Sequence, residues 1–136
     1  MARVEKEAEF QVPVSRAFDL VADIGRMPEY VPALSGVSNV SGRGMGTTYN
    51  WEFKLGKLPA FRGKGKIVKL IPNRRMEIQT KGGIPSTWQW AFSGHNERSI
   101  IKLGIEYKIP GGALVSGLVG KQIEEGLVLL RGLLES

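Results

Sequence analysis

An α+β domain, in which a curved antiparallel sheet of about seven strands grips one long C-terminal helix, is what this 136-residue sequence predicts. Three observations carry the prediction. Apolar and polar residues alternate through most of the chain as far as Tyr107, which is the period of half-buried strands. The period lengthens after Pro110-Gly111-Gly112, where Val115, Leu118, Val119, Gln122, Gly126, Leu127, Leu130 and Leu134 recur at spacings of three and four. The strands share one apolar face and a single long helix is available to cover it, so the sheet has to curve around that helix.

The elements follow in order. In residues 3–12, Val4, Ala8, Phe10 and Val12 take one face, with Lys6 as the exception, and Arg3, Glu5, Glu7, Glu9 and Gln11 take the other. Pro13 ends this strand. Ser15 is the expected N-cap of a short helix reaching about Ile24, with Phe18, Val21 and Ala22 on its inner side. A second short helix is expected from Pro28 to Leu34, closed by Gly36. Val37 to Val40 reads as a weak strand and Gly42-Arg43-Gly44-Met45-Gly46 as a turn. Tyr49, Trp51, Phe53 and Leu55 then alternate with Thr48, Asn50, Glu52 and Lys54.

A strand from about Phe61 to Ile71 is turned by Pro72-Asn73, and Arg75 to Thr80 returns to the turn at Gly82-Gly83. Trp88, Trp90 and Phe92 alternate with Thr87, Gln89 and Ala91 before a turn at Gly94-His95-Asn96. Ile101, Leu103, Ile105, Tyr107 and Ile109 line one face of the last strand. The final helix, of about 20 residues, carries Gly117, Gly120, Gly126 and Gly132. Each costs about 1 kcal/mol relative to alanine, so this helix depends on packing for its stability.

The length fits one domain over residues 1–136, and 42% hydrophobic residues suffice for one core. There is no cysteine, hence no disulfide and no thiolate metal site. The N-terminal stretch is charged, and the longest nearly apolar run, Gly111 to Gly120, is too short for the ~20 residues of a membrane span. A cytoplasmic location is the expectation. The net charge of +6 is unevenly placed: residues 54–81 carry nine basic side chains and one acid, Glu77. In that region Arg62, Lys64 and Lys66 alternate and share a wet strand face. The row is either solvated surface or a contact for anionic lipid, RNA or the ribosome.

Local motifs exclude several activities. Gly42, Gly44 and Gly46 precede a strand rather than a helix, so they form a hairpin turn and not a dinucleotide fingerprint. Gly117 to Gln122 has the wrong spacing, and no Ser or Thr after Lys121, for a phosphate loop. His95, the single histidine, sits in a turn and reads as solvated. No metal, no cofactor and no catalytic residue is expected. Asp19, Asp23 and Glu29 read as cap or surface charges.

Val12-Pro13-Val14-Ser15 with Phe18, then Val21-Ala22-Asp23 and Pro28-Glu29-Tyr30-Val31-Pro32, resembles the opening of the START-like (SRPBCC) superfamily. It is most similar to the branch of polyketide cyclase/dehydrase-like and coenzyme Q-binding proteins. Glu106-Tyr107-Lys108-Ile109-Pro110-Gly111-Gly112 is similar to that family's lead into its last helix. Leu55-Gly56-Lys57-Leu58 with Phe61-Arg62-Gly63-Lys64 resembles one of the subunits of carbon monoxide dehydrogenase, a more distant relative in the superfamily. The resemblance covers essentially the whole chain. It implies the helix-grip fold, also seen in the birch pollen allergen, and an internal apolar cavity. Because that superfamily holds lipid carriers, cyclases, hormone receptors and ribosome-associated proteins, it does not fix a function.

With such a cavity, the expected lining is Tyr49, Trp51, Phe53, Trp88, Trp90, Phe92, Leu103, Ile105, Tyr107, Val119 and Leu127. Core filling is the alternative role for the aromatic rows. Gly63 and Gly65 point inward by parity, either to hollow the interior or to let the sheet bend. Val68 and Leu70 fall on the parity of the lysines, so a bulge is expected near Ile67. The leading expectation is binding or transport of a hydrophobic small molecule: a lipid, an isoprenoid quinone or a polyketide-like compound. A cyclase or aromatase is the enzymatic alternative. It would need polar groups inside the cavity to polarise a carbonyl or move a proton.

Overall fold

The computed structural model describes residues 2–54, 56–108 and 112–136, with side chains in the last helix from Gly117 onward. The expectations for Leu55, Ile109 and the Val115 side chain lie outside the described residues. The strands are β1 (Ala2–Phe10), β2 (Leu34–Ser41), β3 (Thr48–Phe53), β4 (Phe61–Ile71), β5 (Arg75–Gly82), β6 (Ser86–His95) and β7 (Arg98–Tyr107). They form one seven-stranded sheet in the order β1-β7-β6-β5-β4-β3-β2, with every pair antiparallel. Helix α1 (Val14–Ala22) and a 3-10 helix, η1 (Ile24–Glu29), bridge β1 to β2. Helix α2 (Gly112–Glu135) closes the chain against the concave face, which is the helix-grip arrangement. No helix among the described residues is long and apolar enough to cross a membrane.

Alternation becomes burial along the strands. In β1 the even-numbered residues turn inward, and Phe10 is fully buried. Lys6, the odd one out, faces α2 and pairs with Glu124 at 2.9 Å. In β4 the register slips between Ile67 and Lys69, leaving Val68 as the extra residue of a bulge. Ile67 is therefore buried and Leu70 lies opposite buried Met76, while Arg62, Lys64 and Lys66 stay on the wet side. Asn73 and Asn96 take left-handed backbone at the β4–β5 and β6–β7 turns, with φ of 62° and 56°.

The two short helices differ from expectation. α1 begins at Val14 with Pro13 as its N-cap and no side-chain cap, so Ser15 has no capping role. Proline already fixes the φ with which the chain enters the helix, and the Pro13 carbonyl accepts from the Arg16 and Ala17 amides. The second helix runs over Ile24–Glu29 with Pro28 inside it, not from Pro28 to Leu34, and Leu34 opens β2.

α2 turns Ile123, Leu127, Leu130 and Leu134 inward. Leu118, assigned to the inner face by its spacing, is 41% exposed, whereas buried Ile123 falls outside the set that spacing selects. The helix end is tied down by Arg131, which lies 5.3 Å over the Phe10 ring, and by Glu135, which accepts from the Gln11 amide at 3.0 Å. Gly126 lets the helix approach the chain after η1: a Cβ there would fall 2.5 Å from the Tyr30 carbonyl oxygen. Gly132 faces open space. Gly132→Ala should thus stabilise the protein by up to about 1 kcal/mol. Gly126→Ala should destabilise it despite the same gain in helix propensity. Urea unfolding of the two variants checks this, and equal effects would contradict the close approach.

Candidate functional site

The concave side of the sheet, α2 and the η1–β2 segment surround a cavity of about 80 Å3. Of the residues expected there, Tyr49, Trp51, Phe53, Trp88, Trp90, Leu103, Ile105, Tyr107, Val119 and Leu127 line it. Three do not. Gly63 and Gly65 face inward, but the cross-strand partners Trp51 and Tyr49 lie flat over them. A Cβ on Gly63 would clash first with the Lys81 carbonyl oxygen and then, at 2.5 Å, with Trp51 Cζ2, and one on Gly65 would come within 2.5 Å of Tyr49 Oη. Gly65 makes room for an aromatic ring, and Gly63 for a ring and the β5 backbone, rather than for a ligand. Phe92 shares the parity of Trp90 but sits one step farther along β6. There it meets Phe18 of α1 edge-on at 5.2 Å and belongs to the core.

Residues that were not among the expected lining complete the wall, of which Gln122, Gly126 and Leu130 do fall on the helical stripe of α2. Met27, Tyr30, Val31 and Leu34 come from the η1–β2 segment, Thr80, Ile84 and Ser86 from around the β5–β6 turn, and Gln122, Ile123, Gly126 and Leu130 from α2. Gln122 carried a signal, as the one polar residue in the apolar helical stripe. Phe53, Ile84, Trp88 and Val119 keep partial exposure, so the cavity is most open where β3, the β5–β6 turn and the early part of α2 converge.

Among the described residues the lining contains no Asp, Glu, Lys, Arg or His. Its ionisable groups are phenols, and burial pushes those of Tyr30 and Tyr49 well above their usual value. The Tyr30 hydroxyl is 3.4 Å from the Val21 carbonyl oxygen. A short polar chain closes on itself at the wall. Trp88 Nε1 donates to Ser86 Oγ at 3.0 Å, Ser86 Oγ bonds Thr80 Oγ1, and Thr80 Oγ1 donates to the Ile84 carbonyl at 2.9 Å. By contrast, Trp51 Nε1, Trp90 Nε1 and Gln122 Oε1 are buried without a hydrogen-bond partner among the described residues.

The basic row lies on the opposite, wet face. Arg62 is held by Glu52 at 2.6 Å. Lys64 and Lys66 have no ion pair among the described residues, and Lys64 stands directly across from Lys81. Like charges in that register are destabilising. His95 is exposed at the end of β6, and Asp23 is the C-cap of α1, with its amide bonded to the Leu20 carbonyl. Among the described residues no group of three or more His, Cys, Asp or Glu is placed to hold a metal ion.

Comparison with known proteins agrees with this architecture. TTHA0849 from Thermus thermophilus superposes with a TM-score of 0.82 at 18% identity, over 96% of this chain and 95% of that one. The Zhui aromatase/cyclase from Streptomyces sp. R1128 gives 0.82 at 13% identity, over 98% and 93%. A START superfamily protein from Mycobacterium smegmatis gives 0.81 at 15%, over 98% and 97%. At these identities the likeness is one of fold. No curated protein sequence matches the chain. The family model for polyketide cyclase / dehydrase and lipid transport matches residues 1–135, nearly the full length, and the chain belongs to that family.

Proposed function

We propose that this protein binds, and hands on, a hydrophobic small molecule of the lipid, isoprenoid quinone or polyketide-like kind. The observation that carries the reading is the cavity wall, in which aromatic and aliphatic side chains converge with no charged group among the described residues. Burying about 12 methylenes gains roughly 10 kcal/mol at about 0.8 each. Association costs of about 4–15 kcal/mol offset much of that, which leaves micromolar binding within reach. At about 80 Å3 the cavity is well below the about 300–1,000 Å3 of most ligand pockets, so a long ligand enters only as the walls yield.

Binding is favoured over cyclase chemistry because the wall offers little to move a proton at neutral pH. Its titratable groups among the described residues are tyrosines, phenols being poor bases at neutral pH, and burial raises those of Tyr30 and Tyr49 further. Native mass spectrometry of the protein purified from its own source tests the reading. One apolar molecule per chain is the expected result, and a ligand-free mass under conditions that retain non-covalent lipids speaks against it. Lys64, Lys66 and Lys81, with Lys64 directly opposite Lys81, favour a second contact, with an anionic membrane surface that would supply or receive the ligand. Its signature is binding to anionic but not neutral vesicles that is lost as salt rises.

A further inference from the structure

Two buried donors in the cavity wall say more about the ligand than its apolarity does. The indole N–H groups of Trp51 and Trp90 are both withdrawn from solvent, and neither has an acceptor among the described residues. We propose that the cavity selects a neutral, largely apolar molecule whose carbonyl or ether oxygens accept hydrogen bonds from Trp51 and Trp90. This rests on the cavity being the ligand site.

An indole nitrogen donates and does not accept, so a ligand oxygen with a free lone pair is its complement. A plain hydrocarbon would leave both donors buried and unpaired, the costly arrangement for a polar group. A carboxylate could accept, but the wall has no Lys, Arg or His among the described residues to balance its charge. Trp51 stands on β3 and Trp90 on β6, with β4 and β5 between them. The two indoles thus stand three strand steps apart in the sheet, so a ligand that pairs both donors carries more than one acceptor oxygen. Gln122 adds an amide oxygen that is also unpartnered among the described residues and would take a ligand hydroxyl. Trp88, whose N–H is already bonded to Ser86, has no such need and serves as an internal control.

The test uses three two-ring probes of similar size with the 15N-labelled protein: chromone (a carbonyl and a ring ether), naphthalene (no oxygen) and 1-naphthoate (a charged oxygen pair). The indole N–H resonances of the three tryptophans are followed, with Trp51→Phe and Trp90→Phe to assign them. Chromone should shift the Trp51 and Trp90 indole signals downfield, leave that of Trp88 nearly in place, and bind about tenfold more tightly than naphthalene. Each Trp→Phe variant should cut that preference several-fold, and 1-naphthoate should bind more weakly than chromone. Equal binding of chromone and naphthalene with unmoved indole signals, or tighter binding of 1-naphthoate, overturns the selection for neutral acceptors while leaving the cavity as the site. If none of the probes moves any resonance of a wall residue, the cavity reading fails with it.

Discussion

Leu130→Ala should lower the unfolding free energy by about 2–5 kcal/mol, the range for a leucine truncated in a well-packed interior. Leu130 is 1% exposed and lies on the inner face of α2, where it joins the core and borders the cavity. Its removal deletes methyl groups that the sheet cannot reach in to replace, because α2 is held at its far end by Arg131 on Phe10 and by Glu135 on the Gln11 amide. The midpoint of urea unfolding should fall with the slope unchanged. Val128, two residues away and 69% exposed, is the control, and Val128→Ala should stay within about 0.5 kcal/mol of the parent. A loss below about 0.5 kcal/mol for Leu130→Ala would mean that α2 presents another face to the sheet. The enlarged cavity should also admit bulkier ligands.

Gly65→Leu should be more damaging than an ordinary added side chain. Overpacking typically costs about 1–3 kcal/mol. Here the new Cβ would fall 2.5 Å from Tyr49 Oη and 2.6 Å from Cε1, so the ring has to leave the sheet and enter the cavity. Stability and ligand affinity should therefore fall together. The cause is tested by a double-mutant cycle with Tyr49→Ala, since removing the ring removes the clash. The double variant should be more stable than the sum of the two losses predicts by at least about 1 kcal/mol. Strict additivity would mean that Gly65 serves sheet curvature independently of Tyr49.

That glycine pair shows how far the sequence could be read. Parity alone puts Gly63 and Gly65 on the inner face, and the structure has them there. Which side chain fills the space above them depends on the cross-strand register, Trp51 on Gly63 and Tyr49 on Gly65, and no local pattern encodes that pairing. The strands were legible because a period of two survives even the β4 bulge, where Val68 and Leu70 on the lysine parity signalled the slip. The Pro13–Leu34 segment departs from expectation because its two prolines sit at different places in a helix: Pro13, not Ser15, is the N-cap of α1, and Pro28 lies inside η1 rather than opening it.

The cavity divides in the same way. Its strand-borne wall, from Tyr49 to Tyr107, followed from alternation. Val119 and Leu127 followed from the helical period of α2, whereas Tyr30 and Ile84 come from segments with no period at all. Phe92 fell outside because parity assigns a face but not a depth along the strand. The unpaired indole donors are invisible to sequence altogether, since whether a tryptophan N–H finds an acceptor depends on its neighbours in space. Trp88 finds one in Ser86, two residues away, and Trp90 finds none among the described residues.

The central claim is that an apolar ligand enters among these tryptophans, and a fluorescence titration tests it most directly. All three indoles line the cavity, with Trp51 and Trp90 only 6% and 2% exposed. A long-chain alcohol such as 1-dodecanol absorbs no light in the relevant range and is neutral, so a spectral change reports the indole environment alone. The account predicts a saturable change with one site per chain and weak quenching by acrylamide before and after addition. Trp88→Phe and Trp90→Phe should keep the fold and reduce the signal unequally. No change on addition of the alcohol, together with free access of acrylamide to the indoles, would contradict the account and leave the lysine face as the functional surface.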